Sequence, residues 1–117
     1  MTYCGWKNYE TWSCSLWINN DEELYKFWRR RARVRWRARD ASDLSIDSQQ
    51  CRASLANELY AWIAEHAPDM EASFYSDNLH ANLREIDTYE IADSLLRDED
   101  LDGYVPKKPL VSNPVEF

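Results

Sequence analysis

Glycine is almost missing from this chain: of 117 residues, only Gly5 and Gly103 are glycines. A body without interior glycine has few positions that demand a left-handed backbone, which suits helices joined by short polar turns. No stretch approaches the ~20 apolar residues of a membrane helix, so no span is expected. The first residues, MTYCGWKNYE, lack a basic leader and an apolar core, and do not read as a secretory signal. The three cysteines, Cys4, Cys14 and Cys51, are odd in number and widely spaced. That pattern excludes a disulfide framework and a zinc knuckle, and suits reduced thiols in a cytoplasmic protein. Cys14 and Cys51 fall on apolar helix positions and pack as small hydrophobes. Cys4 lies outside any predicted helix.

Enzyme signatures are missing as well. There is no Gly-rich phosphate loop, no nucleophile elbow and no His-Glu-x-x-His helix. The two histidines, His66 and His80, lie on different predicted helices. The acidic run Asp98-Glu99-Asp100 with Asp102 lacks the central glycine and closing glutamate of a calcium loop. No catalysis, cofactor or metal is therefore expected.

What the chain does have is segregated charge. Residues 26–39, KFWRRRARVRWRAR, hold Lys26 and seven arginines with no acid, or +8. Residues 1–25 carry -3 and residues 40–117 carry -12, which gives the chain its -7. Such a map predicts two strong opposite potentials on one small body.

Periodicity predicts a single all-α domain over residues 1–103, of about five helices, followed by an extended tail over 104–117. The first helix starts at the cap Asn8 and ends near Asn19. Its apolar stripe is Tyr9, Trp12, Leu16 and Trp17. The second starts at Asn20, with Glu23 at capping-box spacing, and buries Leu24, Phe27, Trp28, Val34 and Ala38. Arg29, Arg30, Arg33 and Arg37 fall opposite. Strict alternation of arginine over residues 31–39 is a competing strand signal. With no partner strand or hairpin turn in sight, helix is preferred.

Residues 40–50 read as a polar loop. The third helix runs from about Asp47 to His66, lined by Cys51, Leu55, Leu59, Trp62 and Ile63, and stops before Pro68. The fourth begins near Ser73 and carries Tyr75, Leu79, Leu83 and Ile86. The fifth is capped by Asp87, with Glu90 in box spacing and Ile91, Ala92, Leu95 and Leu96 inside. Prolines at 106, 109 and 114 keep the tail extended.

Two sets of residues are candidates for binding. Arg29, Arg30, Arg33 and Arg37, with Trp36 as an exposed aromatic off the apolar face, resemble a phosphate-binding helix with a base-stacking ring. Against it, a body of net negative charge repels a duplex within a Debye length of ~8–10 Å. The same arginines equally suit pairing with the acidic half, or with a second copy in a homodimer. Trp12, Trp17, Trp28 and Trp62 read as core. The second set is acidic: Asp69, Glu71, Asp77, Glu85, Asp87, Glu90, Asp93, Asp98, Glu99, Asp100 and Asp102. Regular carboxylates on helices can imitate a phosphate backbone, although ordinary solubility also accounts for them.

Residues 5–25, GWKNYETWSCSLWINNDEELY, resemble a family of small proteins encoded by phages and plasmids. The shared marks are Asn8 to Trp12 (Asn-Tyr-Glu-Thr-Trp), Leu16 to Ile18 and Asn20 to Glu22. Residues 67–98 resemble the family's closing pattern through Tyr89 to Ala92. The Arg-rich middle lies outside the resemblance. It implies a mobile-element origin and a home in the cytoplasm of an infected bacterium, and it assigns no catalytic residue. By analogy of class, the expectation is an accessory protein that inhibits a host nucleic-acid-handling defence complex, of anti-CRISPR or anti-restriction type, by protein–protein binding. A nucleic-acid-binding regulator using residues 26–39 is the alternative.

Overall fold

Five helices follow one another: α1 (Tyr9–Asn20), α2 (Glu22–Arg37), α3 (Leu44–His66), α4 (Phe74–Arg84) and α5 (Thr88–Asp98). The computed structural model describes residues 2–39, 44–66 and 74–106, with the side chains of 44, 45 and 74–77 left aside. Among the described residues there is no strand, only an isolated antiparallel bridge between Tyr3 and Trp6. The Arg-alternating segment is helical throughout residues 31–37. No helix is long and apolar enough to cross a membrane among the described residues.

α3 and α5 form the most extensive helix pair, α2 lies across both, and α1 rests on α2 and α5. The shared core is Ile18, Trp28, Ala32, Trp36, Cys51, Leu55, Ala56, Leu59, Ile91, Ala92, Leu95 and Leu96. Fully burying one such apolar side chain contributes about 1.5–3 kcal/mol.

The caps explain where the helices start. Asn8 Oδ1 accepts from the Thr11 N–H at 2.9 Å, and Asp87 Oδ1 accepts from the Glu90 N–H at 3.1 Å. Each such cap contributes about 1 kcal/mol. At the α1–α2 corner the cap is Asp21, which accepts from the Leu24 N–H at 3.1 Å, and not the expected Asn20. α1 runs on through Asn20, so only the acid after it is left extended enough to cap. α3 begins at Leu44, within the stretch expected to be a loop. Its polar start is used inward: Asp47 and Ser48 are buried, and Ser48 Oγ accepts from the Val105 N–H at 2.8 Å. Ser73, Asp69 and Glu71 lie outside the described residues.

Two faces differ from the expected ones. In α1 the buried residues are Thr11, Ser15 and Ile18, while Tyr9, Leu16 and Trp17 are exposed, Trp17 by 75%. Close packing on α2 and α5 takes the small polar stripe and turns the aromatic one outward. In α2 the buried stripe is Trp28, Ala32 and Trp36; Phe27 and Val34 are each 45% exposed.

Candidate interaction surfaces

The motif at the start of α1 works as a clasp. Asn8 Oδ1 also accepts from the Thr11 hydroxyl at 2.6 Å, and Asn8 Nδ2 donates to the Glu85 carbonyl at 2.7 Å. Thr11 Oγ1 in turn accepts from the Asp87 N–H at 2.8 Å. The Lys7 N–H donates to Glu90 Oε1 at 2.9 Å. Asn8 and Thr11 thus tie α1 to the turn before α5. Thr11 had no reading from sequence; its role depends on a residue 76 positions away.

Just before the clasp, Tyr3 and Trp6 exchange backbone hydrogen bonds of 2.6 and 2.7 Å. Cys4 and Gly5 between them take positive φ of 48° and 86°, the requirement of a tight two-residue hairpin turn. This turn lays Tyr3 against the outer side of α1. Its ring centroid is 5.3 Å from that of Tyr9 and 4.9 Å from that of Trp12, and Tyr9 and Trp12 are 5.6 Å apart. With Leu16 one turn further, these rings form an outward aromatic face. The only charge in α1 is Glu10.

α2 is built differently. Its buried stripe is flanked on both sides by arginine pairs, and each pair holds one carboxylate. Arg29 Nε and Arg33 Nε donate to Glu99 at 2.5 and 2.9 Å. Arg31 donates to Glu58 Oε1 at 3.0 and 2.6 Å, and Arg35 to Oε2 at 2.7 Å. Burial alone raises the carboxyls of Glu58 and Glu99, but the hydrogen bonds and charges of two arginines outweigh it. Both groups sit below the usual carboxylate range. A third carboxylate is held likewise: Asp93 accepts from Arg52 Nε at 3.1 Å, Arg97 Nη2 at 2.8 Å and the Tyr104 hydroxyl at 2.5 Å. Burial first, and Asp93 second, push the Tyr104 hydroxyl above its ordinary range. This hub and the Val105–Ser48 bond strap residues 104 and 105, the start of the expected extended tail, onto α3 and α5.

The expected binding residues therefore divide. Asp93 and Glu99 are buried, each 6% exposed, and are engaged by arginines; neither is a surface for a partner. Glu90 is half-buried on the Lys7 N–H, and Asp87 is a cap. Glu85, Asp98, Asp100 and Asp102 are exposed, whereas Asp77 has no described side chain. Among the arginines, Arg29 and Arg33 pair within the fold, while Arg30 and Arg37 are exposed. Trp36, expected as an exposed contact, is 4% exposed. It stacks edge-on to Tyr104 at 5.5 Å, and the Arg39 guanidinium lies 3.8 Å above its ring. Sequence reasoning missed the outward aromatic face of α1 and the roles of Glu58 and Arg52.

Nucleophile chemistry has no assembled constellation among the described residues. Cys51 Sγ donates to the Arg35 carbonyl, and burial raises its thiol. Burial pushes the Cys14 thiol to about 11. His66 Nδ1 lies 2.9 Å from the Trp62 carbonyl. His80 lines a cavity of about 290 Å³ with Tyr60, Ile63, Ala64, Leu83 and Arg84, without a thiol or carboxylate. No group of three or more His, Cys, Asp or Glu fit to hold a metal is found among the described residues.

Fold and surfaces together define a small helical protein with an arginine helix partly paired inside the fold and an aromatic outer helix. The chain belongs to the family of unknown function DUF7249, whose model matches residues 1–99. The match takes in the Arg-rich α2 as well as the two motif regions. No curated protein and no solved structure matches the chain.

Proposed function

We propose that this protein acts by binding another protein, as an accessory factor of a mobile element that inhibits a host nucleic-acid-handling defence complex. The observation that carries the binding step is the outward face of α1: Tyr9 is 53% and Leu16 41% exposed, beside Tyr3 and Trp12. A helix that turns its aromatic residues outward and its threonine and serine inward keeps apolar area for a partner. Aromatic anchors of this kind dominate protein interfaces. The resemblance to phage- and plasmid-encoded proteins supports the biological setting. Acidic mimicry has less support, because Asp93 and Glu99 are engaged inside the fold; among the described residues, the exposed acids of that set are Glu85, Asp98, Asp100 and Asp102. A nucleic-acid regulator has less support for the same kind of reason, since Arg29 and Arg33 already hold Glu99.

The test is retention of host proteins on the tagged chain, with and without nuclease, at low and high salt. A defined protein complex that survives nuclease and is lost from a Tyr9→Ala, Leu16→Ala variant is the expected result. Retention of nucleic acid alone, released by salt, or a complex indifferent to that variant, overturns the reading.

A further inference from the structure

We infer that the protein pairs with a second copy of itself through the outer stripe of α2, the two helices running antiparallel. The inference does not depend on the partner proposed for α1.

Glu23, Phe27, Arg30 and Val34 fall at i, i+4, i+7 and i+11, which makes them one stripe of the helix. All four are exposed, and Phe27 and Val34 show 45% of their surface although large and apolar. The charges on this helix are sorted along its length. Asp21, Glu22 and Glu23 stand at its start, and the arginines occupy the half after Trp28. Within the fold most are engaged: Asp21 caps, Glu22 pairs with Lys26 at 2.8 Å, and Arg29, Arg31, Arg33 and Arg35 hold Glu99 and Glu58. Among the described residues no ion pair includes Glu23, Arg30 or Arg37. The charges not engaged are thus one acid early on the stripe and two cations later.

Such a helix is complementary to itself when antiparallel, and clashes with itself when parallel. A two-fold axis beside Phe27, midway between positions 23 and 30 of α2, brings each of these positions of one copy to the other position of its partner. Glu23 of each copy then meets Arg30 of its partner, twice, around a centre of two phenylalanines. The same symmetry carries Val34 toward the partner's α1–α2 corner, where Trp17 is 75% exposed. Beside Phe27 lies an open groove of about 660 Å³ between α2 and α3. Its lining includes Leu24, Trp62 and His66, with Asp21, Glu23, Lys26 and Arg30 at its edge. Acids and bases at one rim give an isologous patch both halves of the pairing it needs. The 16 residues of α2 extend about 24 Å, and a standard interface takes about 800 Å² from each partner.

The experiment is light scattering on the purified full chain across a dilution series, with four variants and a thiol cross-linking assay for one of them. The wild type is expected to approach twice its 13.9 kDa mass at tens of micromolar. Glu23→Arg alone and Arg30→Glu alone are each expected to weaken the dimer at least tenfold. An equimolar mixture of the two is expected to restore it, because every cross-pair is then opposite in charge. Phe27→Cys in a Cys4→Ser background is expected to cross-link rapidly through the introduced thiols, which lie beside the axis. A wild type monomeric at all concentrations overturns the inference. So does a dimer indifferent to both charge reversals, or a mixture that fails to recover. Loss of dimer in Tyr9→Ala, Leu16→Ala with the α2 variants intact would move the interface to α1 and equally overturn it.

Discussion

α1 and α2 are neighbours in sequence and space, and each inverts what its composition suggests. α1 has one charge and three large aromatics, yet it buries Thr11 and Ser15 and exposes Leu16 and Trp17. α2 carries six arginines and one lysine among 16 residues, yet it runs through the middle of the fold and buries two tryptophans. The difference lies in what the neighbours offer. α2 faces Glu58 on one flank and Glu99 on the other, so its guanidinium groups neutralise at the edge of the core while their stems cover it. α1 meets the α4–α5 turn, where free backbone groups require a hydroxyl and an amide. Polar complementarity settles which side of α1 faces in; apolar area does not.

The comparison breaks most visibly at Trp28 and Thr11. Trp28→Ala on α2, at a side chain 2% exposed, is expected to lose about 3–5 kcal/mol in denaturant unfolding. Next comes Thr11→Val on α1. It keeps the shape but leaves the Asp87 N–H without its acceptor at a fully buried site. The expected loss is about 1–3 kcal/mol, large for a substitution that adds apolar surface. A loss near zero in a thermal or urea melt would remove the clasp from the account.

A smaller effect should follow pH. The carboxyls of Glu58 and Glu99 are depressed in the folded protein. Groups of that kind contribute stability that is complete above the unfolded value of about 4.3 and lost as pH falls through the folded values. Stability is therefore expected to hold from neutral pH down to about pH 5 and to decline below it. In Glu58→Gln, Glu99→Gln that acid limb should be shallower. An unchanged limb in the double variant would show that the two arginine pairs contribute little.

Much of the fold was legible in sequence because its signals are local. Asn8 and Asp87 announce their helices within four residues, and the core positions of α3 and α5 follow plain helical spacing. The absence of glycine between Gly5 and Gly103 pointed correctly to a helical body. The candidate sites were less legible, because their partners are distant. Glu99 sits 70 residues from Arg29, and Glu58 27 from Arg31, so no local pattern says which acids are internal. Trp36 falls off an apolar stripe centred on Phe27 and Val34, which is the stripe that apolar content picks out. The true centre, Ala32, is small and adds little to an apolar count. The orientation of α1 was missed because periodicity ranks faces by apolar content, and here the apolar face is the outer one.

The most direct measurement is the denaturant stability of Leu16→Ser, beside Ile18→Ser two residues along the same helix. Leu16 is 41% exposed and Ile18 2%. With the aromatic face of α1 outside, Leu16→Ser should cost less than about 1 kcal/mol, and Ile18→Ser about 3 kcal/mol or more. A loss of about 3 kcal/mol or more in Leu16→Ser would place that face in the core and contradict the account.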